Sequence, residues 1–213
     1  MKTDRLIDAL VTQAGPVQRR TGAGALALAL LVGTPLSYAL MERQIGLNPD
    51  LAAFLREPMF WVKFGFGVAL AIAALWLVLR LVRPGVRAGR VRWAVAAPAI
   101  VLWVLAALAL AAAPRTEWPV LLLGSSWAVC PTNIASLSAP VFIGALLALR
   151  TMAPTKLATA GAAAGLFAGG VGTAVYALHC PELAAPFLAL WYVLGALLPA
   201  GLGALIGPRV LRW

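Results

Sequence analysis

Ionisable chemistry is what this chain mostly lacks. Charged residues make up 11% of it, and Asp and Glu together number only 7 in 213 residues. A water-soluble domain needs a charged surface, which this composition cannot supply. Histidine occurs once, at His179, and cysteine twice, at Cys130 and Cys180. There is no Cys-x-x-Cys. That disfavours thioredoxin-like exchange and quinone-coupled disulfide generation, which use a shuttling vicinal pair. No Asp, Glu, Lys, Arg or His sits deep inside a long apolar stretch. Pumps and proton-coupled carriers need such groups at membrane depth, so active transport is disfavoured. No internal repeat of the inverted-transporter kind is visible. The chain reads as non-enzymatic and free of cofactors.

What is present is apolar length. The chain is 62% hydrophobic with a mean hydropathy of +0.92. About 20 apolar residues span a bilayer as a helix. Six stretches qualify: 22–41, 61–81, 93–113, 120–149, 156–178 and 186–207. The expected fold is therefore an all-α integral membrane bundle of six transmembrane helices. The fourth stretch is too long for one untilted span, so its part up to Trp127 is expected at the interface or as a broken helix. The connections are short, which leaves two regions: a cytoplasmic N-terminal segment, 1–21, and one transmembrane domain, 22–213. The first apolar run starts late and is too long for a signal-peptide core, so it reads as a retained anchor.

The net charge of +10 reads as topology. Sorted by loop, 13 of the 17 Lys and Arg fall on one side and 4 on the other. The positive-inside rule then puts both termini in the cytoplasm. Asp4 and Asp8 fall inside; Glu42, Asp50, Glu57, Glu117 and Glu182 fall outside. The basic 80–92 loop is either an orientation signal beside anionic lipid or a docking site for a protein.

Gly161, Gly165 and Gly169, and again Gly203 and Gly207, recur at steps of four, a spacing that lets helix backbones approach closely. Pro35, Pro98, Pro140 and Pro199 imply kinks within spans. Trp61, Trp93, Trp118 and Trp213 stand near span ends as an aromatic belt.

The two cysteines each precede a proline and fall at the same membrane face by the charge pattern. Three readings stay open for them: a structural staple, a redox or soft-metal sensor, or inert thiols. Both cysteines could ligate a thiophilic cation, with His179 either a third ligand or a helix-end cap. On a continuous helix Ser126, Cys130 and Asn133 lie within about 60° of one another. That face either packs the bundle core or tunes Cys130.

Near the N-terminus, Thr3 suits a helix N-cap. Leu6, Ile7, Leu10, Val11 and Ala14 form one apolar stripe, with Asp4 and Asp8 off its centre. Gly15-Pro16 ends that helix, and Arg19-Arg20 mark the membrane edge. The helix lies on lipid or against its own bundle, or docks in a groove of a cytoplasmic protein. Its mixed charge favours the protein partner, with Asp4, Leu6, Ile7, Asp8, Leu10 and Val11 as contact residues.

Several motifs resemble a known family. They are Met1-Lys-Thr-Asp-Arg-Leu-Ile-Asp-Ala-Leu, Ala14-Gly15-Pro16-Val17, Pro49-Asp50-Leu51, Phe60-Trp61-Val62-Lys63 and Arg83-Pro84-Gly85. Further along come Ser126-Trp127-Ala128-Val129-Cys130, Ala153-Pro154-Thr155, Tyr176-Ala177-Leu178-His179-Cys180-Pro181, Trp191-Tyr192 and Leu211-Arg212-Trp213. The whole chain resembles the NrsF-like negative regulators of sigma-F, membrane-bound anti-sigma factors of proteobacteria. The resemblance implies six spans in the bacterial inner membrane and sequestration of an extracytoplasmic-function sigma factor. It implies release under heavy-metal or oxidant stress through two cysteines, which match Cys130 and Cys180. The partners are then that sigma factor and the lipid bilayer, with no direct contact to nucleic acid. The rival expectation is a small passive transporter or a membrane thiol-redox protein.

Overall fold

The computed structural model describes residues 3–13, 22–83 and 89–212; among these no strand occurs. The chain folds as helices because a bilayer interior offers no partner for backbone N–H and C=O groups. Six helices are long and apolar enough to cross a membrane. They are α2 (Gly22–Gln44), α4 (Pro58–Leu81), α5 (Val91–Ala112), α7 (Cys130–Arg150), α8 (Leu157–Tyr176) and α9 (Ala185–Val210). Three short helices complete the set: α1 (Thr3–Gln13), α3 (Leu51–Phe54) and α6 (Trp118–Leu123).

The expected six-span bundle is thus observed, with shifted boundaries. Span two starts at Pro58 rather than Trp61, because proline suits the first helical turn, where its missing N–H costs nothing. Stretch 120–149 is broken, as its length suggested. A 3₁₀ turn at Arg115–Glu117 and α6 precede a bend at Gly124, where φ is +55°, and α7 begins only at Cys130. α9 carries a π-helical turn at Leu188–Tyr192. The Trp103 indole donates to the Ala189 carbonyl inside that turn at 3.0 Å. Pro35, Pro98, Pro140 and Pro199 all lie within helices.

α8 is the central post. Its buried residues run almost unbroken from Ala160 to Tyr176. The glycine steps explain why it can sit there. A Cβ on Gly161 would strike the Gly203 carbonyl, and one on Gly165 the Pro199 carbonyl. Gly170 is pressed in the same way against α4 at Ala71 and Gly67. Small residues thus bring the backbones of α8, α9 and α4 into direct contact. The opposite faces of the outer helices carry Leu31, Val32, Leu36, Ile72, Trp93, Val104 and Leu108, all exposed. So large an apolar exterior fits lipid, not water.

α1 is helical over Thr3–Gln13, and Ile7, Leu10 and Val11 are exposed on it. Thr3 lies within this helix. The Asp4 and Leu6 side chains lie outside the described residues, as do Ala14, Gly15-Pro16, Arg19-Arg20, Pro84-Gly85 and Trp213.

A buried two-thiol chamber

Three connectors meet at the end of the bundle where α2 and α8 finish and α7 begins: 45–57, 113–129 and 177–184. Both cysteines lie under them. Cys130 is the first residue of α7 and is 0% exposed; Cys180, just beyond α8, is 1% exposed. Both are free thiols. Each is placed by a turn. The Cys130 N–H donates to the Ser126 carbonyl and the Cys180 N–H to the Tyr176 carbonyl, both at 3.0 Å.

The chamber walls are polar and aromatic. Ser126 Oγ lies 4.0 Å from the Cys180 sulfur. The Tyr176 hydroxyl lies near the Cys130 thiol and the Asn133 side chain. Tyr192 is fully buried, its hydroxyl has no hydrogen-bond partner, and the Cys180 thiol is the polar group beside it. The rings of Tyr176 and Tyr192 stand 5.9 Å apart. Ser126 thus lies beside the Cys180 sulfur from a segment outside α7, because the helix does not extend back to Ser126.

Lys63 is the residue that sequence reasoning missed. It is one of the four cations on the outer side by the charge count, yet it is 0% exposed. Its ammonium donates to the Cys180 carbonyl at 2.7 Å and to the Glu182 carbonyl at 3.3 Å. The Phe60 and Phe54 rings lie 5.5 Å and 5.9 Å from the same nitrogen. Phe60, Lys63, Phe66, Gly67, Leu70, Ala71 and Ala74 are all buried on α4. Lys63 thus falls on the core stripe at helical spacing, a pattern legible only once the buried face is known.

Glu182 was read as an outer-loop acid. Its carboxylate accepts from the Ser125 N–H at 2.6 Å and the Ser125 hydroxyl at 2.7 Å. The Trp191 indole donates to the Leu122 carbonyl at 2.8 Å. These two ties hold the 113–129 connector down over the thiols.

His179 is the candidate metal ligand or helix-end cap. Its Nδ1 meets the Gly46 carbonyl at 2.9 Å, just beyond the C-terminus of α2. A carbonyl only accepts, so Nδ1 carries the proton. The Asn48 N–H donates back to the Leu178 carbonyl at 3.2 Å. Among the described residues no three of His, Cys, Asp and Glu are grouped to hold a metal. Two thiols placed in this way can join as a disulfide or bridge a thiophilic cation, provided the chamber adjusts.

The fold and the chamber define a class: a six-span helical membrane protein with a buried, polar-walled thiol pair at one end. The comparisons carry this to a family. The family described as negative regulator of sigma F matches residues 10–213. A protein of Azospira oryzae named probable anti-sigma-F factor NrsF is 45% identical over 213 residues, covering 100% of both chains. The anti-sigma-F factor NrsF of Caulobacter vibrioides is 40% identical over 215 residues, again covering 100% of both. No solved structure matches. The chain belongs to the negative regulator of sigma F family.

Proposed function

We propose that the chain is an anti-sigma factor of the bacterial inner membrane, with both termini cytoplasmic. It holds an extracytoplasmic-function sigma factor away from RNA polymerase and releases it when heavy metal or oxidant reaches Cys130 and Cys180. The observation that carries this reading is the burial of both free thiols beneath the same connectors, in a chain that the family matches over residues 10–213. Oxidation would join the two sulfurs and pass two electrons and two protons to the oxidant. A divalent soft metal would displace the same two protons. Either change draws the first turn of α7 toward the turn after α8.

The sigma factor meets the opposite end of the molecule. The α1 stripe, with Ile7, Leu10 and Val11 exposed, is the docking surface in this reading, and Asp4, Leu6 and Asp8 complete the set of contact residues. Release needs little energy: a tenfold loss of affinity is about 1.4 kcal/mol of differential stabilisation.

The test is co-purification from mild detergent. Wild-type protein should bring down a sigma factor and lose it on treatment with cadmium or peroxide. Cys130→Ser, Cys180→Ser and the double variant should be as abundant, retain the sigma factor, and keep it through treatment. Normal release from the double variant at normal level rejects the sensing role. Poor accumulation of both single variants identifies a structural staple instead.

A further inference from the structure

The chamber must act on the far end of the molecule, and the packing restricts how. α8 meets α9 and α4 backbone to backbone at Gly161, Gly165, Gly169 and Gly170, which leaves no slack for it to slide. α2 is held closely on one side only. It packs on α7 at Gly33 and Gly144, but an apolar crevice of about 550 Å³ lies between it and α4. Leu30, Thr34, Phe64, Val68 and Ile72 line that space. α2 therefore has somewhere to move, and in sequence it leads through residues 14–21 to α1.

The connection between chamber and α2 is specific. The Gly46 and Ile45 N–H groups both return to the Met41 carbonyl, closing the end of α2. The Gly46 carbonyl points outward from that turn and receives the His179 Nδ1–H. The neighbouring bond from Asn48 to the Leu178 carbonyl makes the tie a pair. His179 stands one residue before Cys180 and also packs its ring 5.7 Å from that of Tyr176, which lies near Cys130. A pull on either thiol thus reaches the imidazole through one intervening neighbour.

We propose that His179 is the positioning residue that couples the thiol chamber to α2: its bond to the Gly46 carbonyl holds the resting arrangement, and thiol chemistry breaks it. The proposal rests on the sensing reading above. It assigns His179 a mechanical part rather than a place in a ligand set. In the state with free thiols the bond is made, so removing it imitates the stressed state.

His179→Phe keeps a ring against Tyr176 and loses the donor. His179→Gln restores a side-chain N–H of similar reach. Sigma factor retained per molecule of monodisperse purified protein is measured without any stressor, so the result does not depend on expression level. One net hydrogen bond corresponds to about threefold to tenfold in affinity. His179→Phe should weaken retention by that factor, and should still do so when combined with Cys130→Ser and Cys180→Ser. His179→Gln should retain the sigma factor as wild type does. Wild-type retention by His179→Phe overturns the proposal, as does equal weakening by His179→Gln. The double cysteine variant is treated with cadmium in parallel. Its release would reject the sensing reading on its own, since the His179 comparison uses no stressor.

Discussion

Lys63 shows how one residue can be both conspicuous and hidden. Its charge is obvious in the sequence; its burial is not. The ammonium ties α4 to the carbonyls of Cys180 and Glu182, more than a hundred residues away in sequence. Nothing in the spacing of the chain announces those partners. The cysteines were different, because two thiols in so apolar a chain are legible by rarity alone. For Lys63→Met we expect the Cys180 and Glu182 carbonyls to lose their donor while the aliphatic volume is kept. Leaving buried acceptors unsatisfied costs about 1–3 kcal/mol. The measurement is the thermal unfolding midpoint in detergent, which should fall by several degrees, with the thiols becoming easier to alkylate.

At the scale of elements, the spans were readable because hydropathy is a one-dimensional property of the chain. The glycine steps on α8 and α9 also carried through, since they face one another as Gly161 and Gly203 do. The break in the fourth stretch was readable from length, but its position needed Gly124 and Pro131 to be seen in place. What could not be read was the folding of the 113–129 connector over the thiols. It depends on Glu182 meeting Ser125 and Trp191 meeting Leu122, contacts between segments far apart in sequence. α1 was legible as a stripe, and it remains the element to test for docking. Ile7→Glu with Leu10→Glu places two charges on its exposed apolar side. The variant should stay in the membrane and lose the sigma factor without stress, by at least about tenfold in affinity. Full retention, read by the same co-purification, would move the docking site to the basic 80–92 loop.

On the whole-molecule scale, charge and fold agree on one arrangement. Arg80, Arg83, Arg90, Arg92, Arg150, Lys156, Arg209 and Arg212 all gather at the end where α4, α7 and α9 finish and α5 and α8 begin. The thiol chamber is at the other end. With the basic end in the cytoplasm, reporter fusions after Trp213 and near Pro114 should report opposite compartments. A periplasmic signal from the Trp213 fusion would reverse the molecule and put the thiols in the cytoplasm.

The near-complete enclosure of Cys130 and Cys180, at 0% and 1% exposure, also bears on time. A reagent in bulk water cannot strike either sulfur until the connectors above them part. That opening has its own rate, set by Glu182, Trp191 and the loops they hold, and independent of how much reagent waits outside. At low dose the reaction follows reagent concentration; at high dose it cannot outrun the opening. Small ions and peroxides slip through brief, narrow openings, whereas glutathione-sized molecules need wide, rare ones. For the sensor proposed above, such enclosure acts as a clock and a sieve, favouring small reactive species over bulky thiols and disulfides.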